Sequence, residues 1–210
     1  MENIRNLRGI KPQYNKSLIL TRLGYKRGAT EISSDLNSEL DHIIKETEDL
    51  CPVSTAYRLV RIREHRSGIV ELEDGTVLSG GALSKLLAES NEVVLMASTA
   101  GSAVMDRIRA LFDGGRAGDA VVMDAAASEI ADAGLDFLMD YIATFLRREG
   151  KTLTKHRFSP GYGDFTLDQQ AHFARLLEIG KMGIAITETC MLIPEKSVLA
   201  VAGIVSMSDN

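Results

Sequence analysis

The chain is organised around one segment, Lys155-His156-Arg157-Phe158-Ser159-Pro160-Gly161-Tyr162-Gly163-Asp164-Phe165. A β-like run at 152–154 precedes it, and Thr166 and Gln169 after it form a capping-box pattern that predicts a helix start. We therefore expect a loop between a strand and a helix. Its proline fixes one φ, and its two glycines permit positive φ and leave room for another molecule near the backbone. The segment is thus either a ligand-binding loop or a tight turn with a surface arginine and a packed tyrosine.

Two side chains of this segment suit a small zwitterion that has a flat part. Arg157 has a planar donor fork that matches a carboxylate. Tyr162 has an apolar ring face with a hydroxyl group at its rim. The turn also offers several backbone N–H groups to a ligand. These features indicate which ligand would fit the segment. The pattern alone does not decide between a ligand-binding loop and a tight turn without a ligand.

The composition is that of one ordinary globular domain. The chain has 210 residues, of which 45% are hydrophobic and 25% charged, and a chain of this length buries roughly 70% of its unfolded surface. Aromatic residues make up only 5%, so the core must consist mainly of Leu, Ile, Val, Ala and Met. Residues 1–33 are interpreted as an N-terminal arm and a short helix, the arm being residues 1–15. Residues 34–210 are interpreted as the rest of the same domain.

The charge balance argues against two classes of partner. The formal net charge is −5, whereas nucleic acids and anionic membranes are bound by clustered Lys and Arg. No apolar run reaches the roughly 18 residues of a membrane span, and the N-terminus has no apolar signal region. We expect a cytoplasmic protein with no nucleic-acid or membrane partner.

The two cysteines, Cys51 and Cys190, are far apart and form no Cys-x-x-Cys pair. We expect inert thiols in a reducing compartment rather than a disulfide or a reactive site. Two thiols are too few for an iron–sulfur cluster, which is ordinarily held by four ligands. If the protein takes part in a reduction, the electrons must therefore come from elsewhere.

The order of predicted elements indicates an α+β fold. Several apolar runs bounded by turn residues predict strands, and Asp74-Gly75 between two of them predicts a hairpin. Residues 118–149 predict one long helix that ends at Gly150. Long helices and largely separate strands favour a single domain in which the helices pack on a mostly antiparallel mixed sheet.

The predicted long helix carries acidic residues on one face. Asp124, Asp132 and Asp136 are spaced by eight and four residues, so they lie roughly above one another. An acidic stripe of this kind is commonly a solvated surface. Contact with a ligand is the alternative.

Two blocks of the sequence resemble a known family. The pattern Arg157-x-x-x-Gly161-Tyr162 is similar to the S-adenosylmethionine (AdoMet) loop in the activation domain of vitamin B12-dependent methionine synthase. Downstream, residues 186–198 read Ile-Thr-Glu-Thr-Cys-Met-Leu-Ile-Pro-Glu-Lys-Ser-Val and resemble that family's Leu-Thr-Glu-Ser … Pro-x-x-Ser-Val segment. The likeness covers roughly residues 120–205 and implies the α+β fold of that domain.

The resemblance implies a role for each matched residue. Arg157 would bind the carboxylate of AdoMet. Asp132 falls where the family has a glutamate that contacts AdoMet, in a similar Asp-x7-acid pattern counted from Asp124, and it would accept from the ammonium group or the ribose. Tyr162 would lie against the adenine or donate to a ligand oxygen. The backbone of Ser159 and Gly161 would contact the adenine edge.

The resemblance also implies a function that needs a partner. The activation domain presents AdoMet to the corrinoid of methionine synthase after oxidation has left it as cob(II)alamin. None of the four histidines of this chain lies in an Asp-x-His-x-x-Gly corrinoid motif, so the cobalamin would be carried by a separate corrinoid-binding methionine synthase subunit. An external electron donor would supply the reduction. We expect a reactivation protein that works through proximity and exclusion of water, without a catalytic acid or base.

Two other functions remain open at this stage. One is a scaffold or activator that holds a corrinoid protein, or its electron donor, ready without binding AdoMet. The other is an AdoMet-dependent methyltransferase for a different acceptor. Binding of AdoMet separates the expected function from the scaffold, and reactivation of an oxidised corrinoid enzyme separates it from the methyltransferase.

Overall fold

The computed structural model describes residues 3–26 and 28–207 and has the predicted α+β architecture. The α-helices are Lys16–Arg22 (α1), Ser34–Leu50 (α2), Gly81–Leu86 (α3), Ala103–Asp113 (α4), Ala117–Leu146 (α5) and Gln170–Leu177 (α6). The strands are Arg5–Ile10 (β1), Val53–Arg66 (β2), Ile69–Leu72 (β3), Val77–Ser79 (β4), Glu92–Thr99 (β5), Lys151–Leu153 (β6), Ala185–Ile186 (β7), Leu192–Ile193 (β8) and Ser197–Ser206 (β9). Short 3-10 turns follow α5, precede α6 and follow α6.

The main sheet is built around β2, its longest strand. The strand order is β4-β3-β2-β5-β9-β6, and β1 pairs with the first half of β2 on the same edge that β3 occupies in the second half. All pairings of the described strands are antiparallel. The predicted fold class is therefore confirmed, and so is the hairpin at Asp74-Gly75, which joins β3 to β4.

Helices cover the sheet on both faces. Along β5, Val93, Leu95 and Ala97 contact the core under α6, whereas Val94 and Met96 contact the core under α5. This alternation follows from the two-residue period of a strand. It explains why β5 reads as a continuous apolar run, since a strand buried on both faces has no solvent side.

The long helix predicted at 118–149 is α5, which ends in a 3-10 turn at Arg147–Glu149. Gly150 follows with φ 67°, a left-handed conformation that glycine adopts readily. The helix packs closely on the sheet at Gly134, where a Cβ atom would lie only 2.2 Å from Ser98 Oγ and 2.9 Å from Val53 Cγ1. Although α5 has 30 residues, no helix in the described ranges is long and apolar enough to cross a membrane.

The N-terminal residues differ from the predicted arm. Residues 5–10 form β1, an edge strand that pairs with the start of β2. The sequence shows no alternation of apolar and polar residues in β1, because most of its side chains are exposed. An edge strand is held by its backbone hydrogen bonds more than by burial. The predicted short helix that follows the arm is present as α1. Residues 1 and 2 of the predicted arm lie outside the described residues.

The capping box predicted at the start of α6 does not form. Thr166 makes no side-chain capping bond. The Gln169 amide instead reaches β4, where it accepts from the Ser79 N–H at 2.8 Å and donates to the Ser79 carbonyl at 2.6 Å. The backbone of Ser79 at the sheet edge provides both a donor and an acceptor for the Gln169 amide. This tertiary contact forms instead of the capping box.

Candidate functional site

The segment 155–165 leaves the sheet through a two-residue bridge and then turns sharply. The N–H and the carbonyl of Phe158 both pair with Val201 of β9 at 2.8 Å. Beyond that bridge, the Gly161 N–H donates to the Phe165 carbonyl at 2.7 Å, and Gly161 adopts φ 99°. The predicted loop between a strand and a helix is therefore confirmed, in the form of a tight turn whose N–H at Gly161 is already bonded within the turn.

The far end of this turn is fixed to α3. The Asp164 carboxylate accepts from the N–H of Gly81 at 2.6 Å and from the N–H of Ala82 at 3.3 Å. These backbone hydrogen bonds lower the pKa of Asp164 below its usual range. Next to it, the buried ring of Phe165 packs against Phe158, with ring centroids 6.1 Å apart. The turn is held at both ends, so its side chains are presented on a rigid base.

Arg157 joins this turn to α5. Its Nη2 atom lies 3.0 Å from Asp132 Oδ1, and its Nη1 atom donates to Asp136 Oδ1. Burial acts to lower the pKa of Arg157, but the two carboxylates outweigh it and the pKa is raised above its ordinary value. The structure therefore places the acidic residue of the long helix and the arginine of the loop side by side, as a charged bridge between the two elements.

A cleft of about 780 Å³ opens where α5 meets the turn. We call it the α5 cleft, and its lining consists of Asp132, Asp136, Met139, Asp140, Lys155, His156, Arg157, Phe158, Ser159 and Tyr162. Its size falls in the range of ordinary small-molecule sites. Tyr162 lines the cleft and is 68% exposed, so most of its ring faces solvent.

Four of the five predicted site residues line this cleft, while Gly161 does not. The contacts of Asp132, Arg157, Ser159, Gly161 and Tyr162 with a ligand stay predictions. The sequence analysis did not assign Met139, Asp140, Lys155, His156 and Phe158 to the site. Asp140 had a usable signal, because it continues the four-residue spacing of Asp132 and Asp136 and so lies on the same face of the helix.

The acidic face of α5 is tied down at a second place. Lys196, which is 9% exposed, donates to Asp124 Oδ1 at 2.7 Å and to Ser128 Oγ at 2.9 Å. A buried ammonium group needs such partners, because an unpaired buried charge is costly. Since Arg157 pairs with Asp132 and Asp136, each of the three acids contacts a basic side chain while its own side chain stays 39–63% exposed. The stripe is therefore a solvated surface that also carries ion pairs, and its contact with a ligand stays a prediction.

Another carboxylate, Glu129, is buried beside this face. Burial raises the pKa of Glu129 above its ordinary value, the nearby Arg22 of α1 lowers it, and the charge of Asp132 raises it. Arg22 Nε lies 3.5 Å from Glu129 Oε2. The contact fixes α1 against α5 one turn before Asp132, so the N-terminal helix supports the acidic wall of the cleft.

The two thiols do not line the cleft, and both are free. Cys51 is buried, and this raises the pKa of its thiol to about 12, against a smaller lowering by Lys196. A thiol with so high a pKa is protonated and unreactive at neutral pH, as predicted. Cys190 lies between β7 and β8 and is partly buried.

Comparison with known proteins supports the fold. The chain matches the crystal structure of the MetH reactivation domain bound to AdoHcy, with a TM-score of 0.74 and 14% sequence identity. The match covers 99% of this chain and 80% of that one. No protein-family model matches the sequence, and no curated protein matches it. At this level of identity the similarity establishes a shared α+β fold over the whole chain.

Proposed function

We propose that this protein binds AdoMet in the α5 cleft and supports the reductive methylation of cob(II)alamin carried by a separate corrinoid-dependent methionine synthase. The observation that carries the proposal is the meeting of Asp132 and Arg157, 3.0 Å apart, at a cleft of about 780 Å³ in a fold shared with an AdoHcy-bound reactivation domain. AdoHcy is AdoMet without its transferable methyl group, so a cleft that fits one has the size for the other.

The lining of the cleft fits the chemical groups of AdoMet. Arg157 provides a guanidinium fork for the carboxylate, and a charge-assisted contact of this kind contributes about 1.5–3 kcal/mol. Asp132 provides an acceptor for the ammonium group or the ribose hydroxyls. Tyr162 and Phe158 provide ring faces near the turn. When bound, AdoMet would supply an electrophilic methyl group, and the residues of this chain would hold it in place and keep water away.

The corrinoid and the electrons would come from other proteins. In the described part of the chain, no group of His, Cys, Asp or Glu residues is arranged to hold a metal ion. The proposed partner is a corrinoid-binding methionine synthase subunit, assisted by an external electron donor. The contribution of this protein would be proximity, since an oriented methyl donor turns a bimolecular reaction into one within a complex.

One observation favours the scaffold function as the second candidate. Arg157 is already held by Asp132 and Asp136, so a ligand carboxylate would have to compete with two carboxylates of the protein. A protein that only supports a corrinoid partner would keep this bridge closed. The same bridge is compatible with ligand binding if Asp136, which is largely exposed, gives way to the carboxylate.

The test is a reactivation assay with an oxidised corrinoid methionine synthase that lacks an activation domain. We expect turnover to return only when this protein, AdoMet and a reductant are all present. Recovery of activity without AdoMet would favour the scaffold. No recovery with all three components, combined with methylation of some other acceptor, would contradict the proposed function and favour a different methyltransferase.

A further inference from the structure

Strand β1 has one open side. Among the described strands it is bonded to β2 alone, in a register that runs from Arg5 opposite Tyr57 to Ile10 opposite Val53. The backbone N–H and carbonyl groups of alternate residues point to opposite sides of a strand, so about half of those in β1 face away from β2. None of these groups has a backbone partner elsewhere in residues 3–26 and 28–207. The open side of β1, which we call the β1 edge, is therefore able to pair with a further strand.

A pocket lies beside the β1 edge on each face of the sheet. The pocket on the α5 face measures about 540 Å³ and is lined by Leu7 and Tyr57, which belong to the core under α5. The pocket on the α6 face measures about 330 Å³ and is lined by Ile4 and Leu177, which belong to the core under α6. Asn6 of β1 lines both pockets. A strand added to the β1 edge would point successive side chains toward one pocket and then the other.

Aromatic rings form one wall of the pocket on the α5 face. Tyr141 lies edge-on to Tyr57, with ring centroids 6.2 Å apart, and Phe145 stacks on Tyr57 with centroids 6.3 Å apart. All three rings line the pocket, and Tyr141 is still 40% exposed. A large apolar or aromatic side chain fits such a wall, because aromatic rings pair edge-on or offset at these distances.

The β1 edge is basic, although the formal net charge of the protein is −5. Arg5 lines the pocket on the α5 face and has no ion pair or hydrogen bond within the described part of the chain. Arg8 is exposed, and in the same part of the chain its guanidinium donates only to a backbone carbonyl, at 3.4 Å. The two acids of the pocket, Glu92 and Glu149, both pair with Lys151. Both arginines therefore lack a carboxylate partner, and an acidic segment would supply one.

We propose that the β1 edge docks an extended acidic segment of a partner protein. The segment pairs with β1 as an additional strand, places a large apolar or aromatic side chain against Tyr141, and brings its carboxylates to Arg5 and Arg8. In this mode the backbone hydrogen bonds give affinity and the pockets for alternate side chains give specificity. The inference goes beyond the proposed function and does not require AdoMet in the α5 cleft.

Charge also decides against a second copy of this chain as the occupant. Two β1 strands paired with each other would bring Arg5 and Arg8 of both copies to one seam. Like charges that face each other across paired strands are destabilising. An acidic strand from another protein removes this repulsion and replaces it with attraction.

The test uses the full chain and fluorescent peptides of about eight residues, a common length for a strand. The probe peptide has one central phenylalanine flanked by glutamates, with valine at the remaining positions. We expect it to bind, and to bind less tightly at high salt because the edge is open to solvent. A peptide with lysine in place of every glutamate should not bind. A peptide with alanine in place of phenylalanine should bind about ten-fold more weakly.

Backbone methylation of the peptide tests the strand pairing itself. Methyl groups on alternate amide nitrogens remove the hydrogen-bond donors along one side of the strand and leave the side chains unchanged. Since the peptide would pair with β1 along one side alone, one of the two methylation patterns should abolish binding and the other should have little effect. Equal effects of the two patterns would contradict docking as a strand.

Matched variants locate the peptide on the protein. Arg5→Glu is expected to lower the affinity for the acidic peptide by about ten-fold or more. Arg109→Glu makes the same change of charge on α4, where Arg109 lines neither pocket, and it should leave the affinity unchanged. Hydrogen exchange should show that the bound peptide protects amides of β1.

Three results would overturn the proposal. The first is failure of the acidic peptide to bind, and the second is equal affinity of the wild-type and Arg5→Glu proteins. The third is protection of the β1 amides in the free protein that increases with protein concentration, because a second copy would then occupy the edge. Binding that requires Arg5, the phenylalanine and one side of the peptide backbone supports it.

Discussion

Replacing Arg157 by alanine is expected to weaken AdoMet binding by about ten-fold or more. The guanidinium is the charged donor fork of the α5 cleft, and its loss removes the partner of the ligand carboxylate. It also leaves Asp132 and Asp136 next to each other without the cation between them, and the two like charges then repel. Calorimetric titration of the variant with AdoMet measures the change.

A matched control separates the lost contact from a general effect of removing an arginine. Arg63 of β2 is exposed and pairs with Glu71 at 3.2 Å, so Arg63→Ala removes an arginine–carboxylate pair outside the cleft. It should leave AdoMet affinity unchanged. Arg157→Lys keeps the charge without the fork and should fall between wild type and Arg157→Ala. Unchanged affinity in Arg157→Ala would exclude Arg157 from the binding site.

Replacing Gly134 by alanine is expected to lower the free energy of unfolding by about 1–3 kcal/mol. The added Cβ would lie 2.2 Å from Ser98 Oγ and 2.9 Å from Val53 Cγ1, in the packed layer between α5 and the sheet. Either the helix lifts or both neighbours shift. Since Gly134 lies between Asp132 and Asp136, a lifted helix also moves the acidic wall of the cleft. Denaturant unfolding and AdoMet titration measure the two effects.

Two further variants test whether the crowding at Gly134 is the cause. Gly118→Ala adds the same methyl group near the start of α5, where nothing lies within 4 Å of the new atom. It should keep or slightly raise the stability, because alanine is the better helix former. Ser98→Ala combined with Gly134→Ala removes the closest overlapping atom and should recover part of the loss. A Gly134→Ala protein as stable as wild type would contradict the close packing.

The parts of the fold that the sequence predicted are those with strong local or periodic signals. The Asp74-Gly75 turn, the length of α5 and its end at Gly150 all depend on residues close together in the chain. The missed elements depend on distant partners. The edge strand β1 exists because β2 offers its backbone, and the Gln169 side chain bonds to Ser79 of β4 instead of capping its own helix.

The candidate site shows the same division. The four- and eight-residue spacings placed Asp132 and Asp136 on one face, and the loop pattern singled out Arg157, so the elements of the α5 cleft were visible in the sequence. The pairing of Arg157 with Asp132 and Asp136 could not be predicted, because the guanidinium meets the carboxylates only after α5 has packed on the sheet. The bond between the Gly161 N–H and the Phe165 carbonyl was equally invisible, since a pattern of glycine and proline predicts a turn but not its hydrogen bonds.

The most direct test of the central claim is a crystal structure of the protein grown with saturating AdoMet. The account predicts AdoMet in the α5 cleft, with its carboxylate on Arg157, its ammonium group or ribose within hydrogen-bond distance of Asp132, and its adenine beside Tyr162. AdoMet bound elsewhere on the molecule, or a cleft that stays closed by the bridge between Arg157 and the two aspartates at saturating ligand, would contradict it.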